Sequence, residues 1–232
     1  SQLQENMEIA AADQIPICQD TGMTIIFLEV GQDLHLEGGD LTEAINAGVA
    51  KGYTEGYLRK SVVAEPLFNR VNTQNNTPAI IYTKIVPGDQ LRIELTCKGF
   101  GSENKGGIKM LVPADGVEGV KKAVLDIIQH ASCNPCPPMV VGVGIGGTMD
   151  QAAYLSKRAL MRNITVRNEH PDYANLENEL LEMINKTGIG PQLGGTTSAL
   201  AVNIEWGPTH IAGLPVAVTI CCHACRHAVR VL

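Results

Sequence analysis

Ala79-Ile80-Ile81-Tyr82-Thr83-Lys84-Ile85-Val86-Pro87-Gly88-Asp89-Gln90-Leu91-Arg92-Ile93-Glu94-Leu95-Thr96-Cys97 is the stretch whose reading sets the fold class. Two runs of apolar and β-branched residues flank a Pro-Gly-Asp turn. Leu91, Ile93 and Leu95 alternate with Arg92, Glu94 and Thr96, the period of a half-exposed strand. The expectation is two strands, over 79–86 and 90–97, closed as an antiparallel hairpin at 87–89. Downstream the pattern changes. Met139 to Val143 reads as a short buried strand, followed by Gly144-Ile145-Gly146-Gly147-Thr148 and a helix over 149–162. An antiparallel hairpin together with strand–helix alternation predicts an α/β (mixed α+β) fold: a single domain over 1–232, with a mixed sheet flanked by helices.

The remaining elements fit that frame. Helices are expected over 2–13, from Asp40 or Thr42 to about Arg59, over 116–130 and over 173–186. The second carries Leu41, Ile45, Val49 and Tyr53 at helical spacing, and the third carries Val117, Val120, Val124 and Ile128. Strands are expected over 23–30, near 108–112, and over 198–205 and 214–221. Pro66, Pro78 and several Asn make 64–78 a loop, and 98–107 and 188–195 are glycine-rich turns.

Composition removes several function classes. At 232 residues and 44% hydrophobic content the chain can bury a real core. A net charge of −6 argues against a nucleic-acid surface. No run of about 18 apolar residues is present, so no membrane span is expected. Ser1-Gln2-Leu3-Gln4-Glu5-Asn6 is neither a signal nor a transit peptide, which leads to an expected cytoplasmic location. It reads as mid-helix without an initiator Met, so upstream residues are expected. Seven cysteines in such a chain are better read as metal ligands or catalytic groups than as disulfides.

Three chemistries compete for these motifs. Gly142-Val143-Gly144-Ile145-Gly146-Gly147 fits a dinucleotide fingerprint, with Glu169 beyond a possible strand at 164–166. The same turn also reads as a tight strand–helix junction or as an anion site. Cys133, Cys136, Cys222, His223, Cys225 and His227 could supply a tetrahedral zinc site in a non-enzymatic binding module. The third chemistry takes one thiolate from each of three turns: Cys18, the Cys133/Cys136 pair, and the Cys221/Cys222/Cys225 group. Three thiolates could hold an iron–sulfur cluster and leave one iron open, which is a Lewis acid suited to hydration chemistry. Cys97, in a strand pattern, reads as a small buried hydrophobe.

Polar neighbours suit the third chemistry, and each has a plainer reading beside it. Gln19 could hold a substrate carboxylate and Asp20 could act as acid or base, while Asp20-Thr21-Gly22 equally reads as an Asx turn. Arg59 could clamp a carboxylate bidentately or sit solvated near a helix end. His210, in a turn before a strand, could handle a proton or be an ordinary surface histidine.

Five motifs together resemble one family. Residues 16–22, 98–104, Cys136-Pro137-Pro138, 145–148 and 208–217 look like the alpha subunit of two-subunit, iron–sulfur class I fumarate hydratases, a pattern shared by L(+)-tartrate dehydratases. The resemblance implies a [4Fe–4S] cluster on Cys18, Cys136 and Cys222. It also implies substrate contacts at Gln19, Asp20, Arg59 and His210, with Asp20 and His210 handling protons. The implied partners are a small dicarboxylate and a beta subunit that completes the site, in a hetero-oligomer with alpha–alpha contact. The implied reaction is reversible dehydration of L-malate to fumarate, or alternatively dehydration of L(+)-tartrate.

Overall fold

The computed structural model describes residues 1–191 and 195–232, so part of the expected turn at 188–195 lies outside the described residues. In chain order the elements are α1 (Gln2–Asp13), β1 (Met23–Gly31), α2 (Leu41–Glu55), β2 (Ile80–Val86), β3 (Leu91–Lys98), α3 (Phe100–Glu103), β4 (Gly107–Leu111), α4 (Gly116–Ala131), β5 (Met139–Gly146), α5 (Met149–Ala159), α6 (Pro171–Asn185), β6 (Ala199–Gly207), β7 (Leu214–Cys221) and β8 (His227–Val231). The chain is mixed α/β. It divides into two compact units, Ser1–Phe100 with Ala224–Leu232, and Gly101–His223. Each unit holds its own four-stranded sheet, in orders β2-β1-β3-β8 and β4-β7-β5-β6, so the described residues form two sheets where the sequence suggests one.

In the first unit the expected hairpin is replaced by a straddle. β1 lies between the two strands, parallel to β2 and antiparallel to β3. The 87–89 turn forms, but it carries the chain over the end of β1. The Gly31 N–H donates to Gln90 O at 2.8 Å and the Asp33 N–H to Gly88 O at 2.9 Å. Gly31 permits this, because a Cβ there would lie 2.4 Å from Gly88 O. Alternation along two strands is the same whether they pair with each other or with a strand laid between them. α2 starts at the expected cap, where the Asp40 side chain accepts from the Glu43 N–H at 2.8 Å. Its Leu41, Ile45, Val49 and Tyr53 stripe packs on Ile26 and Leu28 of β1. Each such aliphatic residue contributes about 1.5–3 kcal/mol when fully buried. β8, which the sequence reading missed, extends this sheet at β3.

In the second unit β5 is buried along its whole length. Val141, Val143 and Ile145 meet Val124 and Ile128 of α4 and Leu180 and Ile184 of α6. Val117, expected on the buried face of α4, is 56% exposed. The opposite face of β5 receives α5 against glycine. A Cβ at Gly144 would lie 2.0 Å from Ala152 O, and one at Gly142 would lie 2.2 Å from Ser156 O. Gly144→Ala is therefore expected to destabilise by about 1–3 kcal/mol through overpacking. Gly48→Ala, at an exposed position of α2 with nothing near its Cβ, should stabilise by about 0.5–1 kcal/mol. Urea midpoints of the two variants check the opposite signs.

Candidate active site

The loop between α1 and β1 carries Cys18, Gln19 and Asp20. Asp20 Oδ1 accepts the Gly22 N–H at 3.2 Å, the expected Asx turn, and Oδ2 accepts the Phe100 N–H at 2.9 Å. The carboxylate thereby ties residues 18–22 to 98–100. Gly99 leaves room for it, since a Cβ there would lie 2.9 Å from Asp20 Oδ2. Beneath the loop the Tyr53 hydroxyl lies 2.8 Å from Thr21 O and 2.9 Å from Gly22 O. Burial, followed by the nearby Cys97, pushes the Tyr53 pKa up, so the phenol keeps its proton and donates. Arg226 Nη2 donates to Asp20 O at 2.9 Å and to Cys97 O at 3.2 Å. Gln19 is exposed, and its Oε1 lies 3.5 Å from Cys18 Sγ.

Arg59 follows the end of α2 and is exposed. Thr21 Oγ1 donates to Arg59 O at 2.6 Å, which draws its segment to the Asp20 loop. The structure thus gathers Gln19, Asp20 and Arg59 in the first unit, together with Cys18.

In the second unit Cys136 is exposed and held at φ 55°. The His223 N–H donates to Cys136 O at 3.3 Å, and His223 Nδ1 lies 3.0 Å from the same oxygen. A carbonyl accepts only, so the proton sits on Nδ1. This clamp brings the turn carrying Cys136 beside the end of β7, where Cys222 follows. Cys221 ends the strand opposite Val140 and is 3% exposed, whereas Cys222 is half-buried just beyond it. Cys225 belongs to the first unit, with Sγ 3.2 Å from His227 Nε2. Burial pushes the His227 pKa down, opposed by Glu94.

His210 stands elsewhere. It lies in the β6–β7 loop, which is stitched to the end of β5 by Gly147 N–H to Pro208 O at 3.0 Å and Thr209 Oγ1 to Gly147 O at 2.9 Å. Its Nδ1 accepts the Ala212 N–H at 3.2 Å, which leaves the proton of the neutral ring on Nε2. Cys136 precedes β5 and Cys222 follows the antiparallel β7, so both lie at the opposite end of that sheet. An eight-residue strand separates the two ends by roughly 25 Å.

Among the described residues no group of three or more His, Cys, Asp or Glu is already gathered to hold a metal ion. The donor chemistry nevertheless fits a cluster. Cys136 and Cys222 offer two thiols from neighbouring turns of the second unit, and Cys18 is a further thiol in a turn of the first. The dinucleotide reading has no such support, because Gly142 and Gly144 are spent on packing α5 and lie inside β5. Residues 164–166 form no strand. Glu169 borders the cavity of about 700 Å³ beside the end of β6, with Arg162, Arg167, Glu205 and Trp206, whereas Cys18, Gln19, Asp20, Arg59, Cys136, His210 and Cys222 do not.

Sequence reasoning missed the groups that hold the Asp20 loop: Tyr53, Asn76 and Arg226. Tyr53 was visible as a helix-face residue and Asn76 as part of a loop. Neither pattern shows that a polar tip reaches a carbonyl far away in the chain.

Comparison with known proteins points to one family. The family model described as Fumarate hydratase (Fumerase) matches residues 1–231. A protein of Methanocaldococcus jannaschii, provisionally named L(+)-tartrate dehydratase subunit alpha, is 45% identical over 97% of this chain and 81% of its own length. The L(+)-tartrate dehydratase subunit alpha of Escherichia coli K12 is 37% identical over 96% of this chain and 74% of its own, as is that of Shigella sonnei. With a family match along nearly its whole length and relatives at these identities, the chain belongs to the fumarate hydratase (Fumerase) family of hydro-lyases.

Proposed function

We propose that this chain is the alpha subunit of an iron–sulfur hydro-lyase that removes water from a small hydroxy diacid, with L(+)-tartrate the favoured substrate and L-malate the second. The carrying observation is the identity to chains named L(+)-tartrate dehydratase subunit alpha, at 45% and 37% over nearly all of this chain. The family's description as fumarate hydratase supports the malate reading. Relatives named as alpha subunits support a beta subunit that completes the site. The cytoplasm, where thiols stay reduced, is the proposed location.

Cys18, Cys136 and Cys222 would hold the [4Fe–4S] cluster. When bound, the cluster would supply a Lewis-acidic iron to the departing hydroxyl. Arg59 and Gln19 would hold a substrate carboxylate, the guanidinium bidentately and the amide as donor. Asp20 would handle a proton, with its carboxylate held in one orientation by the Gly22 and Phe100 N–H groups. His210 would present its Nε2 proton. Its place at the far end of the sheet from Cys136 and Cys222 favours service to the cluster site of a second alpha chain. Fixing both ends of a diacid lowers the entropic barrier to elimination.

The test is anaerobic reconstitution of the alpha chain with iron and sulfide, followed by addition of the beta subunit. Turnover of L(+)-tartrate is expected with kcat/KM at least about tenfold above that for L-malate, because a site that bonds the second hydroxyl rejects the diacid without it. The reverse order assigns malate. A colourless protein with stoichiometric zinc, inactive on both and unfolded by chelator, would sink the proposal in favour of a zinc-stabilised module.

A further inference from the structure

We infer that Asn76 is a positioning residue for substrate binding: its single side-chain amide sets the segment bearing Arg59 against the loop bearing Asp20. The inference rests on the carboxylate-binding role proposed above for Arg59. Asn76 is fully buried, at 0% exposure, inside the first unit. Its backbone has φ 61°, a left-handed conformation that Asn adopts more readily than most residues. Its Oδ1 accepts the Ser61 N–H at 2.7 Å and the Val62 N–H at 3.2 Å. Its Nδ2 donates to Gly22 O at 3.0 Å. One carboxamide therefore joins residues just after Arg59 to a residue just after Asp20. Among side chains, the amides of Asn and Gln carry a two-donor group and a separate acceptor in one plane, as this bridge requires.

The surrounding bonds show what the amide adds. Residues 62–73 already form a local ladder, with Ala64 N–H to Val71 O at 2.8 Å and Thr73 N–H to Val62 O at 2.9 Å. Val62 itself is buried at 5% exposure, so the segment has its own anchor. Asn72 Nδ2 fixes Lys60 O at 2.9 Å and Thr21 Oγ1 fixes Arg59 O at 2.6 Å. The backbone from 59 to 62 is thus held at every step while the Arg59 side chain remains exposed. Thr21, buried as well, links the Asp20 loop directly to Arg59 O, and Asn76 is the residue outside both segments whose side chain bonds to each of them. Its amide fixes where the guanidinium starts from relative to the Asp20 carboxylate, which matters because small misplacements of a binding group are costly.

The test uses the reconstituted alpha–beta complex and two variants. Asn76→Gly keeps the left-handed backbone and removes all three bonds. Asn76→Asp keeps the acceptor and removes the donor to Gly22, and it serves if the glycine variant does not fold. In either variant KM for L(+)-tartrate should rise about tenfold, the scale of one to two net hydrogen bonds, with kcat within about threefold and the cluster absorbance unchanged. In an Arg59→Lys background the same change should raise KM less than about twofold, because coupled residues are not additive. Amide exchange at Ser61 and Val62 should be faster in Asn76→Gly than in wild type. An unchanged KM, or an equal rise in both backgrounds, would overturn the inference. Wild-type complex inactive on tartrate and malate would instead fault the functional reading. In that event unaltered exchange at Ser61 and Val62 in Asn76→Gly would still overturn the positioning role.

Discussion

Replacing Cys136 with alanine should abolish the broad visible absorbance of the anaerobically reconstituted chain, lower its iron from about four per chain to background, and reduce turnover with the beta subunit to background. The variant isolates the sulfur. The clamp that holds this turn runs from His223 to the main-chain oxygen of Cys136, at 3.0 Å from Nδ1 and 3.3 Å from the backbone nitrogen, and alanine keeps that oxygen. The left-handed φ of 55° strains alanine no more than cysteine. Cys97→Ala is the control. That residue sits on β3, paired opposite Thr24 of β1, and its loss should leave absorbance intact. Full absorbance in Cys136→Ala, or its disappearance in Cys97→Ala, would remove the proposed ligand set. Cys221→Ala separates the neighbours at the third position. It should cost stability, because the thiol is buried, and leave iron content unchanged.

Glu177→Ala should cost the protein about 3–5 kcal/mol, the range for breaking a buried ion pair from one side. Glu177 on α6 is 0% exposed. Its Oε1 accepts Arg162 Nη2 at 2.5 Å and the Ile204 N–H at 2.8 Å, and its Oε2 accepts the Asn168 N–H at 3.0 Å. One carboxylate thus joins α6, edge strand β6 and the segment after α5. Alanine would strand two backbone donors and leave Arg162 with Glu205, at 3.4 Å from its Nε, and Ile204 O. Glu177→Gln, which keeps an acceptor and loses the charge, should cost roughly half as much. Urea unfolding of both variants checks the order. A loss below about 1 kcal/mol for alanine would mean that water from the adjoining cavity replaces the carboxylate.

Much of this molecule was legible in the chain. The α2 stripe of Leu41, Ile45, Val49 and Tyr53 and the Asp40 cap are local patterns with a single geometric solution, and both formed. Gly142 and Gly144 were legible as special positions but not as to purpose. A phosphate turn and a helix packed hard on a strand both ask for glycine, and the deciding fact is the 2.0 Å approach of Ala152 O. At the proposed site, Gln19 and Asp20 were legible as candidates because they stand beside Cys18. Asn76 and Arg226 were not, because a hydrogen bond from Asn76 to Gly22 spans 54 residues and leaves no periodicity.

The sequence by itself determined the mixed α/β class and most helix and strand positions, and it supplied the residue types of the proposed thiolate-and-carboxylate site. Each of these depends on side-chain chemistry and spacing along one segment. Tertiary structure alone decided that β1 lies between β2 and β3, that Cys136 and Cys222 share one end of a sheet, and that His210 stands at the other. Those facts depend on which strands pair and in which direction. Pairing is chosen by long-range fit, as in the bare Gly31 beneath Gly88, and not by the alternation that makes each run a strand.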